Sequence, residues 1–360
     1  MEHGFKLLSI IIPSYNMEAY LPKCLQSLVI DDCDVLNKLE VIVVNDGSKD
    51  RTSAIAHDFE ERYPGVFHVI DKGNGHYGSC VNSGLEIATG KYVKILDADD
   101  FFDTQAFGGY MTLLVELANN EEEIDLVVTD YCVVSAEGKI DECYSQDLPE
   151  DSLFTMRDFK IKGNFFLNMH AIAYRTDILR EIGYRQTEGI CYTDMQWVFI
   201  PMTKVRHAYY KKLPVYQYLL GRDGQSMNPQ VRSRNLKMYY KLIHDMLEQY
   251  KDAKESFGLG DADLYLDNVL YAIAAHIYYE TLLNIKPVGA LDELLQLLDR
   301  RLAELAPQIY EKLKNCKVAR FCPFHYVDSW RKTCNSRMML FYLSRSYLAL
   351  HKMTKRRIRL

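Results

Sequence analysis

The stretch YVKILDADD, residues 92–100, decides the reading of this chain. Tyr92–Leu96 is short, and turn residues stand at Thr89-Gly90 before it, so it reads as a buried strand. It runs straight into Asp97-Ala98-Asp99-Asp100, which sets three carboxylates in four positions at a strand's carboxyl end. Working outward, Leu7–Ile12 is an Ile-rich run ended by Pro13-Ser14, Leu39–Val44 is a second such run, and Val66–Ile70 a third. Apolar runs of this kind suit strands covered on both faces of a parallel sheet. Between them lie helical spacings: Leu21, Leu25 and Leu28, with Pro22 in a first turn; a helix through Arg62 with Ser48 as N-cap; and Cys80–Ala88, ended by Gly90. Alternation of strand and helix predicts a doubly wound α/β sheet. Ligands of such sheets sit outside the strands' carboxyl ends. The polar clusters at 13–16, 45–50 and 97–100 all fall there.

Farther along, Tyr110–Leu117 reads as a helix and Leu126–Ser135 as a strand followed by a turn at Glu137-Gly138. From about 230 the spacing is helical only, as in Leu236, Tyr240, Ile243 and Leu247, or Leu291, Leu294, Leu298, Leu302 and Leu305. The expected division is therefore 1–228, in two halves (1–100 and 101–228), and a helical region over 229–360.

A net charge of −6 gives no bias toward nucleic acid. The nine cysteines are odd in number and scattered, with no C-x-x-C pair, which argues for reduced buried thiols rather than a disulfide framework or zinc cluster. No uninterrupted apolar stretch reaches the ~20 residues of a membrane span. The expected location is cytoplasmic.

Three clustered carboxylates repel one another, and a diphosphate would add more negative charge, so the cluster calls for a hard divalent cation such as Mn2+ or Mg2+. The segment KGNGHYGSCVNSG, residues 72–84, holds four glycines, Gly75 among them, where backbone can approach a phosphate closely.

Four stretches taken together, SIIIPSYNMEAYLPKCLQSL (9–28), EVIVVNDGSKDRT (40–52), GNGHYGSCVNSGLEIATGKYVKILDADD (73–100) and EGICYTDMQW (188–197), resemble the family 2 glycosyltransferases. The resemblance covers about residues 8–200. It implies a GT-A-like fold, Rossmann-like with a mostly parallel sheet and helices on both faces, a nucleotide-sugar donor, a divalent metal at the D-x-D, and inversion at the anomeric carbon. Position by position it puts Pro13, Tyr15, Asn16 and Glu18 in the first nucleotide-contacting loop and Asp46 on the base. Asp97 and Ala98 go to the ribose and diphosphate side, and Asp99 becomes the metal ligand. Asn45 departs from the family's usual aspartate and Val81 from its usual arginine. The acceptor-activating base falls at Asp194, with Thr193 in place of glutamate and Glu188 as understudy. Arg222, in the loop after Tyr216-Gln217-Tyr218, would offset charge on the departing diphosphate. His207 is a further candidate for the metal shell.

The expected activity is transfer of a sugar, UDP-linked by preference, to a glycan or lipid-linked saccharide acceptor in cell-surface polysaccharide synthesis. The chain lacks the Q-x-x-R-W motif of processive relatives. Residues 338–350, mostly apolar, precede Lys352, Lys355, Arg356, Arg357 and Arg359, so a peripheral seat on an anionic membrane is a further expectation. The competing readings are a nucleotidyltransferase, which would need a basic Gly-rich loop after the first strand, and a non-catalytic nucleotide-sugar-binding scaffold.

Overall fold

The computed structural model describes residues 5–159, 166–221, 235–286, 289–317, 324–333, 340–342 and 346. These form two compact units. The first takes in 5–159, 166–221 and 259–263; the second takes in 235–258 and the described residues from 264 onward.

The first unit is built on one sheet. Its strands are β1 (Leu8–Ser14), β2 (Leu39–Asn45), β3 (Phe67–Asp71), β4 (Tyr92–Ile95), β5 (Phe101–Phe102), β6 (Leu126–Ser135), β7 (Ile140–Tyr144), β8 (Leu153–Phe154), β9 (Ile172–Arg175) and β10 (Ala208–Leu220). They lie in the order β3-β2-β1-β4-β9-β6-β10-β5, with β7 on β6 and β8 on β10. From β3 to β4 every pairing is parallel. Beyond β4, β9 enters antiparallel between β4 and β6, while β6 and β10 pair parallel. The sheet is thus parallel over its first half and mixed over its second.

The parallel half follows from the apolar runs. All seven residues of β1 and all seven of β2 are buried. Each buried Ile, Val or Leu is worth about 1.5–3 kcal/mol, and helices cover both faces because no polar face exists to leave bare. The helices of this unit are α1 (Leu21–Gln26), α2 (Cys33–Leu36), α3 (Thr52–Arg62), α4 (His76–Ile87), α5 (Thr104–Ala118), α6 (Thr176–Glu181) and α7 (Asp194–Trp197), of which α3 and α4 pack directly on β1, β2 and β3. Two starts differ from the sequence expectation. α3 begins at Thr52, because Ser48 spends its hydroxyl on the Asn16 amide at 3.0 Å instead of capping a helix. α4 begins at His76, four residues early, because Asp46 receives the amides that open it (below).

The cysteine expectation is corrected at one place. Cys132 and Cys143 face each other across β6 and β7 and form a disulfide. Cys24, Cys80 and Cys316 are free and buried, while free Cys33 is exposed.

In the second unit, long helices span Leu236–Ser256, Gly289–Leu305 and all but the first residue of Asp263–Tyr279, with shorter ones at Pro307–Leu313 and Tyr326–Lys332. Arg331 ties them together: it pairs with Asp299 at 2.6 Å and lies over the Tyr310 ring at 3.6 Å. Among the described residues no helix is long and apolar enough to cross a membrane. The basic C-terminal residues 352–359 and Arg222 lie outside the described residues.

Candidate active site

The carboxyl ends of β1, β2 and β4 lie side by side: Ser14 pairs with Asn45, and Ile11 with Ile95. The loops after β1 and β2 are laced together there. Asn16, in the left-handed region at φ 53, takes the Lys49 amide on its side-chain oxygen at 2.8 Å. Glu18 accepts from the Arg51 amide at 3.0 Å, and the Met17 amide donates to Thr52 at 2.7 Å. Pro13 is buried in the strand, whereas Tyr15 leaves 46% of its surface open. Of the first loop's candidates, Tyr15 is the one that presents an aromatic ring to solvent.

Asp46 follows β2 and is buried. Its Oδ1 accepts from the Gly75 amide at 2.8 Å and from Lys72 Nζ at 3.0 Å, and its Oδ2 accepts from the His76 amide at 2.9 Å. Asn74 Nδ2 donates to the Asp46 carbonyl at 3.1 Å. One carboxylate therefore organises the whole glycine loop by satisfying the first orphan amides of α4. The Gly75 amide, read from sequence as a phosphate donor, is occupied by Asp46.

At the end of β4, Asp100 is 1% exposed. Tyr216 donates its hydroxyl to Asp100 Oδ2 at 2.6 Å, and the Leu219 amide donates to Oδ1 at 2.8 Å. Burial, then the Asp99 and Asp97 charges, still push the Asp100 carboxyl well above the ordinary range. That is the strain expected of crowded carboxylates. Asp97 accepts from the Tyr77 hydroxyl at 2.6 Å; Ala98 is buried and Asp99 half-buried.

His170 reaches the same place from the segment before β9. One ring nitrogen of His170 and one oxygen each of Asp97 and Asp100 all lie within 4.8 Å of one another. His170 Nδ1 is buried and has no hydrogen-bond partner among the described residues. Desolvation, then the Lys94 charge, pushes the imidazole down to about 3, so it stays neutral with a lone pair available. His207, the sequence candidate, instead pairs with Glu122 at 3.3 Å beside the start of β10. β10 runs thirteen residues from there to its other end, where Tyr216 meets Asp100.

Lys94 fixes His170 in place. It is 1% exposed and donates to the carbonyls of His170 at 2.7 Å and Ile172 at 3.1 Å, and burial pushes its amine down to about 7. At pH 8 most of the amine is uncharged, so replacing it relieves little desolvation and strands two carbonyls. Lys94→Met is therefore expected to cost about 1–3 kcal/mol in urea unfolding at that pH. Unchanged stability would show that neither carbonyl depends on the lysine.

Asp194 opens α7. Its charge, together with that of Asp97, pushes up the Tyr77 hydroxyl after desolvation, and it acts with Asp100, Asp97 and Asp99 on Tyr218. It thus shares one electrostatic neighbourhood with the Asp97–Asp100 cluster. The segment before it is stapled to α4. Asn82, buried in α4, donates to the Gln186 carbonyl at 3.0 Å and to Glu188 at 2.9 Å, and it accepts the Gln186 amide at 2.8 Å. Thr193, where glutamate was expected, is buried and donates to Gln186 Oε1 at 2.8 Å. Glu188 is bound by Asn82 and Arg185, which makes it an anchor of this segment.

Residues 9–183 match the model of the family described as glycosyl transferase family 2. Those residues carry a glycosyl transferase family 2 domain. The uncharacterized glycosyltransferase YibD of Escherichia coli is 28% identical over 69% of this chain and 72% of its own length. The minor teichoic acid biosynthesis protein GgaB of Bacillus subtilis is 33% identical over 37% of this chain and 14% of its own length. With several curated relatives the match spans 34% or less of their length. The crystal structure of S. aureus TarS 1–349 in complex with UDP-GlcNAc aligns at 16% identity and a TM-score of 0.49, covering 89% of this chain and 99% of that one.

In this family 2 domain the sequence-read residues Asp46, Asp97, Asp99 and Asp194 gather around one edge of the sheet. His170 and Lys94 were not legible as site residues. His170 sits in NMHAIAYR with nothing local to set it apart, and Lys94 looks like an ordinary strand lysine.

Proposed function

We propose that this chain transfers a sugar, with inversion, from a nucleoside diphosphate sugar to a glycan or lipid-linked saccharide. UDP-sugars are the first donors to test. The observation that carries the reading is the meeting of the Asp97–Asp100 carboxylates with Asp194 on a separately anchored segment. The donor's nucleotide would lie over the carboxyl ends of β1, β2 and β4, between the Tyr15 ring and the Asp46-organised glycine loop. Asp194, acting as base, would take the proton from the acceptor hydroxyl while its oxygen attacks the anomeric carbon. The bond from that carbon to the diphosphate breaks on the opposite face, and the electron pair leaves with the nucleotide.

The residues at the cluster fit a divalent cation: two carboxylate oxygens and an imidazole nitrogen lie together, and His170 Nδ1 is buried with no hydrogen-bond partner among the described residues. Asp97, Asp99, Asp100 and His170 are the groups that would hold it. When bound, such a cation supplies positive charge against the donor's diphosphate. The name of GgaB supports cell-surface polysaccharide as the destination.

Asp99→Ala is expected to lower sugar transfer, read as nucleoside diphosphate release, at least about a hundredfold and to weaken manganese-dependent UDP binding. Full activity in this variant would remove Asp99 from the metal shell. Failure of the parent chain to bind any nucleotide sugar would remove the functional reading.

A further inference from the structure

We propose that the stacked pair Tyr131 and Tyr144 is a carbohydrate platform that seats a pyranose ring of the acceptor at the outer end of a row of aromatic rings leading to the carboxylate cluster. The proposal rests on the glycosyltransferase reading and names where its second substrate binds.

The two tyrosines face each other directly across β6 and β7. Their rings are nearly parallel, 13° apart with centroids at 5.0 Å. Tyr131 is 5% exposed, but Tyr144 leaves 39% of its surface open on a strand whose five residues are all exposed. A continuous series of aromatic contacts leads from Tyr144 to the site. The Tyr131 ring lies 5.2 Å from that of His170. His170 in turn stacks on Tyr218 at 4.5 Å and touches Tyr216 at 4.6 Å. Tyr216 holds Asp100. The exposed ring is therefore the outer end of a ladder whose inner end is the carboxylate cluster.

An exposed edge strand is normally guarded by charge. Here Asp141 and Glu142 do that, so the large apolar face at Tyr144 is left over for another purpose. A pyranose suits it. The ring's electron-rich face accepts the C–H face of a sugar, and polar groups at its rim can bind hydroxyls. Glu142 stands at that rim, taking the Tyr144 hydroxyl at 2.6 Å, and Asn168 donates to the Tyr131 hydroxyl at 2.5 Å. A wholly apolar ligand would gain nothing from this carboxylate. The disulfide joins Cys132 and Cys143, the next pair along the same register, and so holds the two strands together beside the rings. A platform fixed before binding loses less entropy on taking up its ligand.

The test uses the full chain with manganese, UDP, and a panel of p-nitrophenyl α- and β-glycosides of glucose, galactose, mannose and N-acetylglucosamine. Saturation-transfer NMR and titration measure glycoside affinity, and calorimetry measures the Kd of UDP. The parent is expected to bind at least one glycoside through its ring C–H protons. Tyr144→Ala should weaken that binding about tenfold, and Tyr144→Trp should keep it. The Kd of UDP should stay within about twofold in both variants. Tyr144→Ala binding the glycoside like the parent would overturn the platform. So would equal losses of UDP and glycoside, which would mark a structural role, or a parent that binds UDP and no glycoside. A parent that binds neither UDP nor any nucleotide sugar overturns the functional reading itself.

Discussion

Asp194→Asn is expected to lower the kcat of sugar transfer by about 10²–10⁴-fold, with little change in nucleotide affinity. Asparagine keeps the size and shape of aspartate and its place at the start of α7. It cannot accept a proton, so the variant removes the base while leaving the fold alone. The separation of effects follows from the anchoring. Asp194 is positioned by a segment bound to α4 through Asn82, Gln186 and Thr193. The nucleotide side is organised independently by Asp46 and its bonds to the glycine loop. Initial rates of nucleoside diphosphate release with acceptor, beside calorimetric titration of UDP, read the two halves separately. A kcat within tenfold of the parent would eliminate Asp194 as base. A parallel collapse of UDP affinity would mean that it serves the donor instead.

The parallel half of the fold was legible because its information is local. β1 and β2 are largely apolar runs long enough for a strand, β4 is a short buried stretch behind the Thr89-Gly90 turn, and each ends in a polar cluster. The order of runs and helical spacings then leaves few ways to wind the sheet. The second half was not legible for the opposite reason. β9 is four residues long, and it lies between β4 and β6 although it follows both in the chain. Such pairing depends on long-range packing that no local pattern announces, and His170 arrives at the site through it. The Asp46 bonds were hidden in the same way: a sequence shows an aspartate near a glycine loop, not which oxygen meets which amide.

The disulfide is different, since its signal was present. Cys132 and Cys143 are placed symmetrically about the Glu137-Gly138 turn, and so are Tyr131 and Tyr144. The hairpin closes from Ser135 to Lys139, with Gly138 at φ +80, and an irregularity between Val133 and Val134 shifts the register by one residue so that each pair meets face to face. Counting cysteines over the whole chain obscured this, because an odd, scattered total says nothing about a pair brought together within one hairpin.

Gly78→Ala is the second large effect, and it tests how the two halves are joined. Gly78 lies in the first turns of α4, where that helix meets the segment leading to Asp194. A Cβ built at Gly78 would stand 2.2 Å from the Thr187 carbonyl oxygen and 3.1 Å from Gln186 Cβ. The oxygen belongs to the backbone, so no rotamer change relieves the clash. On its other side α4 has no slack either: a Cβ at Gly84 would lie 2.6 Å from Ile11 of the buried strand β1. The helix is therefore held between β1 and the 186–188 segment, and the segment must yield. Overpacking of a fitted contact costs about 1–3 kcal/mol, and a backbone clash belongs at the upper end. Moving the segment also breaks the Asn82 bonds to Gln186 and displaces the Asp194 that follows. Gly78→Ala should then lose about 3 kcal/mol in urea unfolding, and transfer by the folded fraction should fall at least about a hundredfold, as expected when a reacting group shifts by about 1 Å. Unfolding curves and rates normalised to folded protein check both. Normal stability with normal transfer would mean that α4 and the Asp194 segment do not meet as closely as Gly78 requires, and the positional case for Asp194 would fall with it.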